Sequence, residues 1–218
     1  MRRSLIFILL CGVLLFCNLK ETHAIPVIGN FSGTFSSVTG KGDFPNEIKV
    51  GTGFFGGFTY NTDANIIFGG GADVIYDPSG FKIWLDIVGE QEIFRLYDTG
   101  AGGIHTRNSS QWGDVFAIPF IMSWQGDIAG YFPDEASIHL CDSTGTVFDD
   151  AFLPTTLDLR DFDDSDFWIF NAGDPKAPFE LNGSFDTFSM RPVPEPTTML
   201  LLGSGLLGLL GLRKKFKN

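Results

Sequence analysis

Phe81-Lys82-Ile83-Trp84-Leu85-Asp86-Ile87, followed after Gly89-Glu90 by Glu92-Ile93-Phe94-Arg95-Leu96-Tyr97, sets the fold class of this chain. In the first run Phe81, Ile83, Leu85 and Ile87 fall on one side and Lys82, Trp84 and Asp86 on the other. The second run sends Phe94 and Leu96 one way. Period-two alternation is the pattern of a strand with one buried face. Two such runs around Gly89-Glu90 predict a β-hairpin.

The same pattern recurs outward from this hairpin. Ser137 to Cys141, Thr155 to Leu159, Asp166 to Asn171 and Phe179 to Phe188 read as further strands. Asp114 to Trp124 is longer and more apolar, and Pro119 within it predicts an edge, a bulge or a break. Asp77-Pro78-Ser79-Gly80 and Asp142-Ser143-Thr144-Gly145 carry turn chemistry. The chain has 27 glycines and 23 phenylalanines, and stretches of helical period are confined to its two ends. About ten to twelve short strands predict an all-β domain, an antiparallel β-sandwich or jelly roll.

The two ends carry addresses. Arg2 and Arg3 precede an apolar stretch, Leu5 to Phe16, and Thr22-His23-Ala24 offers small side chains where a signal peptidase cuts. This is the layout of a signal peptide cleaved after Ala24. At the other end, Val193-Pro194-Glu195-Pro196 leads into an apolar run, Met199 to Leu212, and a basic end at Arg213, Lys214, Lys215 and Lys217. Prolines stop the preceding structure, the apolar run favours hydrocarbon, and the cations favour the cytoplasmic side. As a helix, Thr197 to Leu212 extends roughly 24 Å, short of the ~30 Å hydrocarbon core of a bilayer. Gly203, Gly205, Gly208 and Gly211 weaken it further. A permanent single-pass anchor is the alternative reading of this tail.

The order of these blocks closely resembles the PEP-CTERM sorting signal of Gram-negative bacteria. The resemblance covers Val193 to Lys217, about a tenth of the chain. It implies that Pro194, Glu195 and Pro196 form a recognition motif, Met199 to Leu212 a membrane segment, and the basic residues a membrane stop. It also implies export, transient anchoring in the inner membrane, recognition and cleavage by a membrane-embedded exosortase, and association with exopolysaccharide, biofilm or surface matrix. The segment Gly51 to Ala64 is similar to a strand-and-turn of ectodomains in this family and implies shared architecture only. The expected organisation is a signal peptide at 1–24, a β-sandwich ectodomain at 25–191 and the sorting signal at 192–218.

Charge and cysteine usage narrow the function classes. Between residues 25 and 212 there are 8 basic and 25 acidic residues, a balance of −17. Such a surface repels nucleic acid and anionic lipid and keeps the domain soluble. With Cys11 and Cys17 in the leader, Cys141 is the only cysteine of the exported part, so no internal disulfide can staple it. His139 lies two residues from Cys141 on the same strand face, but a small buried filler is the expected role of this thiol. No His-Glu-x-x-His, nucleophile elbow or phosphate loop is present, and the domain is expected to be non-enzymatic. A glycosidase carboxylate pair leaves no sequence trace.

Two candidate sites remain. Asp161, Asp163, Asp164 and Asp166 concentrate oxygen ligands suited to calcium, the one cofactor the sequence suggests. The glycine and distal glutamate of a calcium loop are missing, so the run also reads as a solvated acidic turn. Trp84, Trp112, Trp124 and Trp168 raise carbohydrate binding, because flat rings stack on the apolar faces of sugars. Among them Trp84 faces away from the core set of its strand, so a carbohydrate-binding or carbohydrate-cleaving surface protein is the alternative function.

Overall fold

The computed structural model describes residues 24–41, 44–77, 79–98, 103–121, 125–171, 178–194 and 204. Eleven strands are formed: β1 Pro26–Gly40, β2 Gly53–Asn61, β3 Ile66–Gly70, β4 Asp73–Tyr76, β5 Lys82–Val88, β6 Ile93–Asp98, β7 Ile104–Arg107, β8 Asp114–Ile121, β9 Glu135–Asp142, β10 Asp164–Asn171 and β11 Phe179–Pro192. All are joined in one antiparallel sheet of order β3-β4-β7-β8-β9-β10-β11-β1-β2-β5-β6. The all-β, antiparallel expectation therefore holds. The division into two hydrogen-bonded sheets that a sandwich or jelly roll has does not appear among these strands.

The sheet curls, so that its apolar face meets itself. Phe54 of β2 lies 4.8 Å from Phe167 of β10, and Phe58 of β2 lies 6.4 Å from Phe116 of β8, although two and four strands respectively separate them in the sheet. Beyond β8 the chain crosses to the far edge, where Gln125 exchanges both backbone hydrogen bonds with Tyr97 of β6. Strand twist supplies part of this curvature. Two register shifts between β1 and β11, at Ser32/Gly33 and Phe35/Ser37, add local bends in the longest strands.

Glycine makes room for the aromatic core. Phe31, Phe54, Phe167 and Phe185 form one cluster with centroids 4.8 to 6.4 Å apart, a spacing that favours tilted and edge-to-face contacts. A Cβ on Gly29 would fall 2.1 Å from the Phe58 ring, one on Gly56 2.4 Å from Phe31, and one on Gly183 2.6 Å from Phe54. These residues occupy core-facing positions of β1, β2 and β11, where any side chain would displace a phenylalanine.

The hairpin that sets the fold class forms as expected: Val88 pairs with Ile93 and Leu85 with Leu96, with residues 89–92 between the strands. Pro119 sits inside β8, a strand with neighbours on both sides. The β7 ladder reaches only from Val115 to Ala117, so Pro119 pairs with β9 alone and the missing amide deprives no second neighbour. Thr155 to Leu159 is not a strand. It is a loop with one bridge, Asp158 to Ser189, running into a 3-10 turn, Leu159–Asp161. Its apolar residues alternate, yet side-chain hydroxyls hold the neighbouring backbone: Tyr76 Oη and Thr106 Oγ1 donate to Ala151 O, and Tyr60 Oη to Pro154 O. Burial pushes the Tyr60 hydroxyl pKa well above its ordinary value.

Candidate binding face and sorting segment

Alternation puts Asn30, Gly57, Trp84 and Tyr97 opposite one another on β1, β2, β5 and β6, on the side of the sheet away from the core. The adjacent row is Ser32, Phe55, Asp86 and Arg95. Trp84 is 40% exposed, Tyr97 42% and Phe55 37%. The Phe55 ring meets the indole edge-on, at 5.9 Å and 79°. A Cβ on Gly57 would lie 3.0 Å from Trp84 Nε1 and 3.2 Å from Asn30 Oδ1. Glycine is thus the floor over which the indole lies.

Beside this platform Asp86, 1% exposed, accepts from Arg95 Nε at 2.7 Å and Arg95 Nη2 at 2.5 Å. A two-bond fork of this kind pairs charge with fixed geometry. The hydrogen bonds to Asp86 raise the Arg95 pKa. Ser32 Oγ and Thr187 Oγ1 lie 2.7 Å apart on the β1 side. Arrayed this way, the face can stack a flat apolar surface and exchange neutral hydrogen bonds around it.

The other tryptophans are elsewhere. Trp168 is half-buried and stacked on Phe170 at 5.1 Å and 19°, so each ring covers part of the other. Trp112 projects from the turn before β8, its carbonyl accepting from Arg107 Nη2 at 2.9 Å. Trp124 lies outside the described residues.

The acidic run is not gathered into a cation site. Asp163 accepts from the Ser143 amide at 3.1 Å and from the Ser143 hydroxyl, which lower its pKa. Asp166 faces His139, with Oδ1 3.5 Å from Nδ1. Asp158 caps the 3-10 turn through the Arg160 amide and is gripped by the Arg160 guanidinium, which draws its pKa down to about 2. Asp161 belongs instead to a groove of about 730 Å³ lined also by Asp149, Asp150 and Phe152. Among the described residues no group of three or more His, Cys, Asp or Glu side chains is placed to hold a metal. Asp163 turns to Ser143, Asp166 to His139 and Asp161 to the groove, three different surroundings.

His139 and Cys141 share a strand face, as their spacing requires, but the imidazole is turned to Asp166. The Asp166 carboxylate beside it raises the His139 pKa, against the opposing effect of burial. Cys141 is only partly buried, not the enclosed filler expected, because it lies on the outer side of β9 between Val115 and Asp164. Burial is the main cause of its raised pKa.

Two buried carboxylates escaped sequence reasoning. Asp114 accepts from the amides of Ser109 and Phe148 at 2.9 and 2.7 Å. Asp142 accepts from Thr144 N at 2.9 Å, Thr144 Oγ1 at 2.6 Å and Thr146 N at 2.8 Å, and these bonds, led by the Thr144 hydroxyl, lower its pKa to about 2. Their role is to close loops. The turn sequence starting at Asp142 was the available signal for the second of them.

The chain enters and leaves the sheet at one place. Val27 at the start of β1 pairs with Pro192 at the end of β11, and Val193 N donates to Pro26 O at 2.7 Å. Ala24 and Pro194 flank this last hydrogen bond, and Pro194 is exposed. Glu195, Pro196, Arg213, Lys214, Lys215 and Lys217 lie outside the described residues, as does the leader up to residue 23. No helix among the described residues is long and apolar enough to cross a membrane.

Residues 192–215 match the family model of the PEP-CTERM protein-sorting motif, which marks the chain as an exosortase-targeted secreted protein. No curated protein and no solved structure matches the chain.

Proposed function

We propose that this chain is an exported, non-enzymatic protein whose PEP-CTERM segment carries a curled β-domain, sandwich-like in enclosing its core, to the cell surface or extracellular matrix. Signal peptidase removes the leader after Ala24, the Met199 to Leu212 segment holds the chain in the inner membrane, and an exosortase then cuts the tail. The delivered domain works among exopolysaccharide and other biofilm components.

The observation that carries this reading is the sorting-motif match at residues 192–215. Supporting it, β11 ends at Pro192, so a cut beyond Pro194 keeps all eleven described strands in the exported part. The strongly acidic balance of the exported part is compatible with a soluble life outside the cell.

Mass spectrometry of the exported protein tests the route. The expected result is a C-terminus between Pro194 and Leu212 and an N-terminus at Ile25. A C-terminal peptide reaching Lys215 in the exported protein would overturn removal of the tail and leave a permanent anchor.

A further inference from the structure

We propose that the outer face of β1, β2, β5 and β6 binds a neutral saccharide chain, with the Trp84 indole as its stacking platform. This goes beyond the sorting route and does not depend on it.

The geometry of the platform is built rather than incidental. Trp84 lies over Gly57, where a Cβ would come within 3.0 Å of the indole nitrogen and 2.9 Å of the Gly29 carbonyl oxygen. Phe55 buttresses the ring edge-on. This leaves the outward side of an amphipathic aromatic to a ligand, with the Asn30 amide at one end of the row and Tyr97, cross-strand from Trp84, at the other. Four strands at about 4.8 Å spacing make the row ~14 Å long, room for a few consecutive sugar rings.

Charge and area select the ligand class. Asp86 and Arg95 cancel one another in their fork, and Asn30, Ser32, Tyr97 and Thr187 are uncharged. Within a strongly acidic protein this face carries little net charge: Lys82 of β5 and Arg191 of β11, paired with Ile28 of β1, lie one row away, and Asp186 of β11 is exposed at the bulge opposite Ser32 and Gly33. Such a face neither attracts a polyanion nor pairs a polycation. Three aromatic side chains of 150–250 Å² each, about two-fifths exposed, offer roughly 200–300 Å² of ring surface, against about 800 Å² per partner in a standard protein interface. The narrow strip, broken by the Asp86–Arg95 pair before Val88 and Ile93, suits stacked pyranose rings with hydroxyls reaching the polar neighbours.

The test is isothermal titration of the full chain, held in a detergent without a sugar headgroup. The probes are cello-, laminari-, manno- and maltohexaose, with alginate and chitosan oligomers as charged comparators. Binding of at least one neutral hexasaccharide is expected, weakened about tenfold or more in Trp84→Ala and measurably in Asn30→Ala and Tyr97→Phe. Trp112→Ala should bind as the parent does. Asn30→Ala and Tyr97→Phe keep the test decisive if Trp84→Ala fails to fold, as a melting curve would show. Absence of binding to all four neutral probes at millimolar concentration, binding to the charged comparators alone, or equal binding by all the variants would overturn the proposal. So would loss of self-association in Trp84→Ala without any saccharide binding, which would make the face a protein contact.

Discussion

Replacing Gly33 by alanine would place one methyl group 2.1 Å from the Ser184 carbonyl oxygen and 2.6 Å from Phe54 Cζ. The oxygen belongs to the backbone of β11, the central partner of β1, so relief requires the two strands to move apart at a register shift that already bends them. Overpacking a close-packed core costs about 1–3 kcal/mol, and a collision with backbone belongs at the upper end. For a domain of this size each kcal/mol moves Tm by roughly 2–4 °C, so Gly33→Ala should melt about 6–12 °C lower. Gly29→Ala adds the same methyl, but its three nearest neighbours are all atoms of the Phe58 ring, at 2.1 to 2.5 Å. A side chain can be shortened and a carbonyl cannot. The double variant Gly29→Ala/Phe58→Leu should therefore be more stable than the sum of its single changes, with a coupling within the ~0.5–3 kcal/mol seen for contacting residues. Gly33→Ala/Phe54→Leu should recover little. Urea titration and calorimetry of the exported protein measure both cycles, with an unchanged m-value confirming that the unfolded state is not the cause. A Gly33→Ala protein melting within a degree of the parent, or equal rescue in both cycles, would refute the argument that glycine is selected here by ring and backbone approach.

Arg95→Ala should lower the melting temperature more than Arg160→Ala does. The first leaves the buried Asp86 carboxylate without its counter-ion, whereas the second releases a pair on an exposed turn; equal shifts would contradict that ranking. Asp142 has a folded-state pKa of about 2 against an ordinary 3.8, so its stabilising contribution is present above the ordinary value and is lost as pH falls through the lowered one. In Asp142→Asn the acid-side loss of stability between pH 4 and pH 2 should be shallower, as thermal melts across that range would show. His139 behaves in the opposite sense: its raised pKa makes its pairing with Asp166 fully effective below the ordinary value near 6.5 and lost as pH rises through the folded one. His139→Gln should flatten that alkaline-side decline, and an unaltered profile would count against the pairing. Dialysis against EDTA should leave Tm within about a degree, since no group of three or more candidate ligands is gathered among the described residues; a rise of several degrees on adding calcium would overturn this.

The β5–β6 hairpin was legible because a strand half-buried on one side writes its period directly into the sequence. Trp84 was placed on the outer side by that rule alone. What the rule could not supply was its surroundings: Asn30, Gly57 and Tyr97 reach the indole through pairing registers across four strands, and register is a tertiary property. Glycines were a missed signal. Gly29, Gly33, Gly56 and Gly183 are core-facing strand positions emptied for phenylalanine rings, a role that depends on which rings lie opposite and is therefore tertiary too. Thr155 to Leu159 misled through its alternating leucines, since hydroxyls from β2, β4 and β7 hold the adjoining loop without any ladder. The acidic run kept its composition but not its convergence, because Ser143 takes Asp163 and His139 faces Asp166, partners distant in sequence, while Asp161 turns to the groove beside Asp149 and Asp150.

The place of β11 ties the fold to the proposed route. It is the last strand in sequence, yet it lies inside the sheet between β10 and β1, pairing with β1 along nearly its whole length. The sheet consequently cannot close around its aromatic core until residues 179–192 are on the same side of the membrane as residues 26–40. Joining the two ends of the chain adds a loop-closure cost that grows only slowly with length, but it places the pairing late, since topologies dominated by distant contacts fold slowly. In the proposed route the sorting motif starts where β11 stops, so it becomes accessible outside the membrane only once the last strand has crossed. Val193 makes the final hydrogen bond to Pro26, and Pro194, without an amide hydrogen, cannot extend the ladder. On that route, membrane attachment through the tail would keep β11 tethered while β1 and β10 find it, and severing the chain beyond Pro194 afterwards would leave all eleven described strands in the released domain.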